Sequence, residues 1–354
     1  MTKRIASIES FRVLAIFAVI LCHTGFVADL SQLADESLPI VLTGYLVWWV
    51  GVPYFFITAG YFFRQSLFTD GNPIARLRRY VTPFAWMLFD WMCIYTVTSP
   101  YWPVEVFRQG LWQSFYSEAL KNLHLLATQN ISLFLAGGRP IWHLWFLPAF
   151  MFGLATLTLM TICRMEKYLA PLIISLYVLA LTEEIAGGRF NSFPHVGTWS
   201  IALLLTAIGW LFAEREQPSA TVAWSLIIAG YAAALMEGTV MNAIFHMVLQ
   251  TLRWHFFLGG IILALGIFQL ALAKPKLGQS TPFPFLAQFT LGVYLSHIFV
   301  LYAVRPINLI LGDGIPLRGA LIGIIVYIFS ILFTVVLMRI PILKYLVVRP
   351  EWKA

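Results

Sequence analysis

Charge is scarce in this chain. Only 11% of its 354 residues are Asp, Glu, Lys or Arg, against about 25% in ordinary soluble domains. No stretch is polar enough to cover a water-soluble domain, so none is expected. Cysteine is scarcer still. Cys22, Cys93 and Cys163 fall singly inside apolar runs, with no disulfide framework and no zinc spacing. They read as buried packing residues. The histidines lack metal-ligand spacing too, and no Cys or carboxylate completes a ligand set, so no metal is expected. Gly137-Gly138 and Gly187-Gly188 lack the context of a phosphate loop and read as turns. No internal repeat or low-complexity tract is present.

Apolar surface dominates instead. Hydrophobic residues make up 60% of the chain, and the mean hydropathy is +0.81. A helix crosses a bilayer with roughly 20 apolar residues. Runs of that order lie at 8–26, 40–63, 80–98, 143–163, 169–186, 198–213, 222–237, 255–273, 289–311 and 320–337. The expectation is an all-α polytopic membrane protein of about ten transmembrane helices, one membrane domain over 1–354. The runs at 198–213 and 222–237 are short and read as less tilted or partly re-entrant. The first run is too long for a signal peptide, contains Arg12 and lacks a small-residue cleavage site before a polar domain, so it reads as a retained helix.

Ten spans put both ends on one side of the membrane. The ends and even-numbered loops hold fifteen of the Lys and Arg residues, and the odd-numbered loops hold seven when Arg305 of the ninth run is counted to that side. The positive-inside rule then places both termini in the cytoplasm. The net charge of +7 does not point to nucleic acid, because the basic residues are scattered between apolar runs.

Between the third and fourth runs, Val104, Phe107, Leu111, Phe115, Leu120 and Leu123 recur at helical spacing. Glu105, Arg108, Gln109, Glu118 and Lys121 occupy other faces. An amphipathic helix over about 103–127, lying in the outer interface, is expected. Trp102, Trp112, Trp142 and Trp145 flank it, as interfacial anchors or as a lid that stacks on a sugar.

Few polar residues enter the apolar runs, and these are the candidates for chemistry. Arg12 and His23 lie eleven residues apart in the first run. Eleven helical steps amount to three turns plus about 20°, so both share one stripe, roughly 16 Å apart along the axis. Arg12 reads two ways, as a functional cation or as a snorkelling side chain paired with Glu9 three residues earlier. His23 reads as a general base or as a helix-packing hydrogen bonder. Asp90 is the one carboxylate deep in a run, suited to orienting a histidine or to a structural pair. Arg76-Leu77-Arg78-Arg79 precedes the third run. It is either a topology signal or a set of guanidinium forks for a phosphate-rich ligand, and coenzyme A fits that chemistry. His143, in Trp142-His143-Leu144-Trp145, and His297, in Leu295-Ser296-His297, sit in the fourth and ninth runs. Each is either a packing residue or, with Trp145, part of an acceptor site.

These pieces in this order resemble the acyltransferase-3 family of integral membrane acyltransferases. The resemblance rests on Arg12-x10-His23, on residues 52–63 (VPYFFITAGYFF), on Arg76-x-x-Arg79, on His143-Leu144-Trp145-Phe146-Leu147 and on residues 291–297 (LGVYLSH). It covers nearly the whole length. The family's second-helix motif has Ser where Ala59 stands, so no hydroxyl role is expected there. The resemblance implies transfer of an acyl group, most often acetyl, from cytoplasmic acyl-coenzyme A to a hydroxyl of a cell-surface or lipid-linked saccharide. O-antigen and exopolysaccharide sugars are the common acceptors, and the setting is a bacterial cytoplasmic (inner) membrane. By position, His23 becomes the catalytic His, and Arg12, Arg76 and Arg79 become donor-side residues. Asp90 as an orienting acid, and His143, Trp145 and His297 as acceptor-side residues, are expectations from the residues themselves. Some members of the family carry an extra hydrolase-like extracytoplasmic domain, which is not expected here; either a partner such as a glycan-assembly protein supplies that step or none is needed. The rival expectation is a transporter or flippase of a lipid-linked saccharide.

Overall fold

A computed structural model of the chain describes residues 4–33, 37–67, 71–98, 106, 110–128, 142–185, 196–214, 218–245, 258–311 and 315–348. Every regular element among these residues is helical. They are α1 (Ala6–His23), α2 (Phe26–Leu33), α3 (Leu38–Trp49), α4 (Gly51–Leu67), α5 (Pro73–Thr96), α6 (Leu111–Thr128) and α7 (Phe146–Ile162, entered by a 3-10 turn, Trp142–Trp145). Then come α8 (Leu169–Ile185), α9 (Val196–Phe212), α10 (Ala220–Phe245), α11 (Leu258–Ala273), α12 (Thr290–Leu311) and α13 (Arg318–Arg339). Among the described residues, six stretches are long and apolar enough to cross a membrane: Ala6–His23, Leu38–Leu67, His143–Ile162, Ala220–Ala243, Phe283–Ile307 and Arg318–Arg339. Trp199–Phe212 and Leu258–Ala273 are shorter apolar helices.

Local chemistry moves several boundaries. The run at 40–63 is two helices, because Pro53 has no N–H to return to the Trp49 carbonyl and its ring crowds that turn. The third run starts earlier than its hydropathy suggests. Asn72 caps α5 by accepting from Ala75 N at 3.1 Å, and Pro73 occupies the first turn. Arg76, Arg78 and Arg79 therefore lie inside the helix rather than in a loop before it. The run at 222–237 becomes the 26-residue α10, too long for a re-entrant segment.

Cys93 and Cys163 are exposed and Cys22 half-buried, not buried packing residues as expected. The reason is general to this chain. An apolar run here marks a bilayer-facing surface as readily as a protein core, and large side chains such as Leu159, Ile228 and Met236 are also exposed. The same inversion applies to α6. Its apolar face, Trp112, Tyr116, Leu120 and Leu123, is outward, as expected of a helix at an interface. Its polar stripe is not in water, however, since Ser114, Glu118 and Asn122 are all buried. Asn122 donates to the Thr96 carbonyl at 2.8 Å, closing the C-terminal end of α5. Residues 103–105 and 107–109 of that expected helix, and Trp102, lie outside the described residues.

The chain forms two compact units. Unit 1 comprises Met1–Phe62, Ile208–Thr290 and Asp313–Ile325, and unit 2 comprises Phe63–Ala207, Leu291–Gly312 and Val326–Ala354. In unit 1 the antiparallel pair α10 and α11 packs backbone to backbone through glycines. A Cβ on Gly230 would stand 2.8 Å from the Gly259 carbonyl oxygen, and one on Gly266 would stand 2.8 Å from Ile227 N. Small residues allow this approach where lipid tails offer no hydrophobic gain for helix association. Glu237 of α10 then caps α11, accepting from Leu258 N at 3.1 Å and Gly259 N at 2.8 Å. A carboxylate on the N-terminal amides matches both their hydrogen-bonding need and the helix dipole. Glu237→Ala should cost about 1–2 kcal/mol. Thermal unfolding of the detergent-solubilised protein reads the loss, and an unchanged melting temperature would remove the cap from the account.

In unit 2 a core forms around Met87, Trp91 and Tyr95 of α5, Leu144 and Leu147 at the start of α7, and Leu295 and Ile298 of α12. Helices α5 and α7 run antiparallel. Tyr95 meets His143 at one end, with ring centroids 4.4 Å apart, while Phe84 meets Phe150 at 5.4 Å and Tyr80 meets Phe150 at 6.2 Å.

Candidate active site

Unit 1 holds Arg12 and His23. Both lie on the unbroken helix α1, whose hydrogen-bonded ladder enforces the shared stripe and the roughly 16 Å separation. Arg12 Nη1 pairs with Glu9 Oε2 at 3.1 Å, and the Arg12 side chain remains 32% exposed. The pair leaves part of the guanidinium surface open, so Arg12 has room for a second anion. Beside it, Tyr54 of α4 donates its hydroxyl proton to the Ile8 carbonyl at 3.2 Å. Its ring lies 6.1 Å from Phe11 and 6.5 Å from Phe268. Thr58, one turn beyond Tyr54, is buried. Polar groups therefore gather on one side of α1 at its N-terminal half. Ser7 anchors the start of that helix, donating its hydroxyl to the Ala271 carbonyl at 2.5 Å and its N–H to the Pro275 carbonyl at 3.2 Å.

His23 ends α1. Thr24 closes the helix, donating its N–H and hydroxyl to the Leu21 carbonyl at 3.4 and 3.2 Å. Gly25 turns the chain at φ +82°, a region that favours glycine. The turn is clamped from outside. Asp29 of α2 accepts the Gly319 N–H at the start of α13. A Cβ on Gly319 would overlap the backbone of Thr24, Gly25 and Phe26. The imidazole is half-buried, with Cys22 Sγ 3.4 Å from both ring nitrogens. A half-buried imidazole on a fixed turn has the placement that proton transfer requires. Asp29 and Gly319 are contributors that the sequence reading missed. The only local trace of the turn is the Thr24-Gly25 pair after the helix.

Unit 2 brings His143 and His297 together. Both are buried, with ring centroids 5.7 Å apart and planes nearly perpendicular. His297 Nδ1 lies 2.6 Å from the Tyr294 carbonyl. A carbonyl oxygen only accepts, so Nδ1 carries the proton and Nε2 presents the lone pair. Tyr294 returns its hydroxyl to the His143 carbonyl at 3.0 Å. Tyr95 accepts from Phe299 N at 3.1 Å and donates to the Leu295 carbonyl at 2.9 Å. Those are the groups an undisturbed helix joins to each other, so the tyrosine enters the backbone ladder of α12 in the turn that carries His297. Trp145 is half-buried in the 3-10 turn beside His143.

The opposite end of unit 2 is basic. Arg76, Arg78 and Arg79 occupy the first two turns of α5. Arg64, at the end of α4, is buried and pairs with Glu166 at 3.0 Å. Thr161 donates to the same carboxylate oxygen at 2.9 Å. Since α7 runs antiparallel to α5, Arg164 and Lys167 in the link to α8 fall at this end too. Arg64 and Glu166 thus join the site description from the structure alone, their partnership spanning about a hundred residues of sequence. Asp90 stands half-exposed on α5, on the face that also exposes Trp86, Phe89 and Cys93. It makes no hydrogen bond or ion pair among the described residues. No three of His, Cys, Asp and Glu gather as metal ligands among the described residues.

A chain whose regular elements are all helical among the described residues, with stretches this long and apolar, is an integral membrane protein. The chain belongs to the acyltransferase-3 family: the acyltransferase-domain model of that family matches residues 5–339. It is therefore a membrane acyltransferase. No curated protein and no solved structure matches it.

Proposed function

We propose that this acyltransferase moves an acyl group, acetyl in the first instance, from cytoplasmic acyl-coenzyme A to a hydroxyl of a cell-surface or lipid-linked saccharide, within a bacterial inner membrane. The observation that carries the reading is α1, which holds a cation and an imidazole on one stripe of an unbroken helix, roughly 16 Å apart along its axis, in a chain of this family. The excess of Lys and Arg on one set of loops supports cytoplasmic termini and a donor side near Arg12.

Arg76 and Arg79 are assigned to the phosphates of coenzyme A. Three arginines at the positive end of a 24-residue helix make a strongly anion-attracting terminus. Arg12 completes the donor side. His23 takes the proton of the acceptor hydroxyl as its oxygen attacks the thioester carbonyl. The carbon–sulfur bond then breaks, and the leaving thiolate recovers the proton from the imidazolium. The products are the acylated saccharide and free coenzyme A. His143, Trp145 and His297 are assigned to the acceptor. The lone pair of His297 Nε2 suits a hydroxyl donor, and the indole of Trp145 suits a sugar face. Asp90, half-exposed beside Trp86, Phe89 and Cys93, is given no part in this step.

The test is acyl transfer from labelled acetyl-coenzyme A in vesicles carrying a lipid-linked saccharide. Arg76→Ala and Arg79→Ala should each raise the donor KM by roughly tenfold or more, with kcat little changed, because each loses a charge-assisted contact made equally in ground and transition states. A double variant with the wild-type donor KM would overturn the assignment of the phosphates to α5.

A further inference from the structure

Unit 1 carries a groove of about 470 Å³ between the first turns of α10 and the last turn of α11. Trp224 forms one wall, Leu270 and Ala273 the floor, and Leu277 the far side. Lys274 and Lys276 stand at its rim, and both are exposed. The lining is otherwise apolar. Its volume falls in the roughly 300–1,000 Å³ range of ligand clefts.

The groove is fixed in shape by its surroundings. The glycine-mediated packing of α10 on α11 sets the Trp224 wall against the floor. The turn that bears the lysines is tied down as well. Ser7 N binds the Pro275 carbonyl, Leu277 N binds the Lys274 carbonyl at 2.9 Å, and Gly278 (φ +80°) packs against Ser10 of α1. The charge of this turn is one-sided. Residues 274–289 contain two lysines and no carboxylate. The α1 carboxylate, Glu9, is already held by Arg12.

We propose that this groove binds an anionic phospholipid of the surrounding leaflet. The phosphate sits between Lys274 and Lys276, the Trp224 indole lies at headgroup depth, and an acyl chain runs over Leu270 and Ala273. The argument is charge complementarity joined to amphiphilicity. Two ammonium groups over an apolar floor match a molecule with an anionic head and an apolar tail. Basic pockets between helices at the membrane surface take such headgroups. A tryptophan at that level is the expected anchor. The inference needs only that the chain is a membrane protein, so it stands or falls separately from the donor and acceptor assignments.

Fluorescence quenching tests it in full-length protein reconstituted into nanodiscs. Brominated phosphatidylglycerol is titrated into phosphatidylcholine, and brominated phosphatidylcholine serves as the neutral comparison. The chain has 13 tryptophans, so the signal is the difference between wild type and Trp224→Phe. Trp224 should be quenched at a lower mole fraction of the anionic lipid than of the neutral one. The Lys274→Gln/Lys276→Gln variant should raise the half-quenching fraction of the anionic lipid by about 25-fold, roughly fivefold for each lysine near the surface. Millimolar glycerol 3-phosphate or acetyl-coenzyme A should leave the quenching unchanged. Equal quenching by the two lipids, or an unchanged titration in the double variant, would overturn the proposal. Displacement by either soluble phosphate would also overturn it, and would assign the groove to a soluble ligand.

Discussion

His23→Ala should remain folded and membrane-inserted while acyl transfer slows by about 100-fold to 10,000-fold, the usual worth of a positioned acid–base group. The fold should survive because the turn after α1 is held by other groups. Thr24 and Gly25 close the helix, Asp29 binds the Gly319 N–H, and the glycine lets α13 lie directly on the turn. None of these contacts uses the imidazole. His23→Gln separates chemistry from packing, since the amide keeps a polar side chain but cannot take up a proton. If His23 is the base, both variants lose kcat with donor KM little altered. If only the alanine variant fails, the residue positions the turn. Wild-type transfer by His23→Ala would remove it from the mechanism. Asp29→Asn is informative beside it, because the weakened clamp should reduce thermal stability more than kcat.

The second large effect lies far from the chemistry. Gly259→Leu should destabilise unit 1 by about 3 kcal/mol or more, beyond the usual cost of overpacking a core. A Cβ at Gly259 meets main chain rather than a side chain that can turn aside. It would overlap Ala234 N and stand 2.6 Å from the Gly230 carbonyl oxygen. Relief requires α10 and α11 to separate, which also pulls the α11 terminus away from its Glu237 cap. Loss of the monodisperse solubilised species on mild heating is the readout. Ile228→Leu, at an exposed position of α10, serves as the neutral control. Equal melting of Gly259→Leu and wild type would show that the close helix pairing is not a source of stability.

Several features were readable residue by residue. The stripe joining Arg12 to His23 follows from helical periodicity in an apolar run, and α1 is unbroken between them. The Arg12–Glu9 pair follows from their spacing of three. Other features went astray because hydropathy measures preference for an apolar surrounding without distinguishing lipid from protein. Cys93 and Cys163 were expected inside and are exposed, while Glu118 on the polar side of α6 is buried. The start of α5 was misplaced by reading hydropathy ahead of the Asn72-Pro73 capping signal, which was present in the sequence.

The sequence alone determined that this chain is helical and built for a membrane, which family it resembles, and which few polar residues enter its apolar runs. Those properties are local. They depend on composition, on a period of 3.6 residues and on motif order. Tertiary structure decided the rest: that His143 meets His297, that Arg64 is held by Glu166, that Asp29 clamps the turn after His23, and that two lysines overhang an apolar groove. Each of these depends on which helix faces lie against each other. That choice is made by backbone approach at glycines and by the need to satisfy buried polar groups, and neither leaves a periodic trace along the chain.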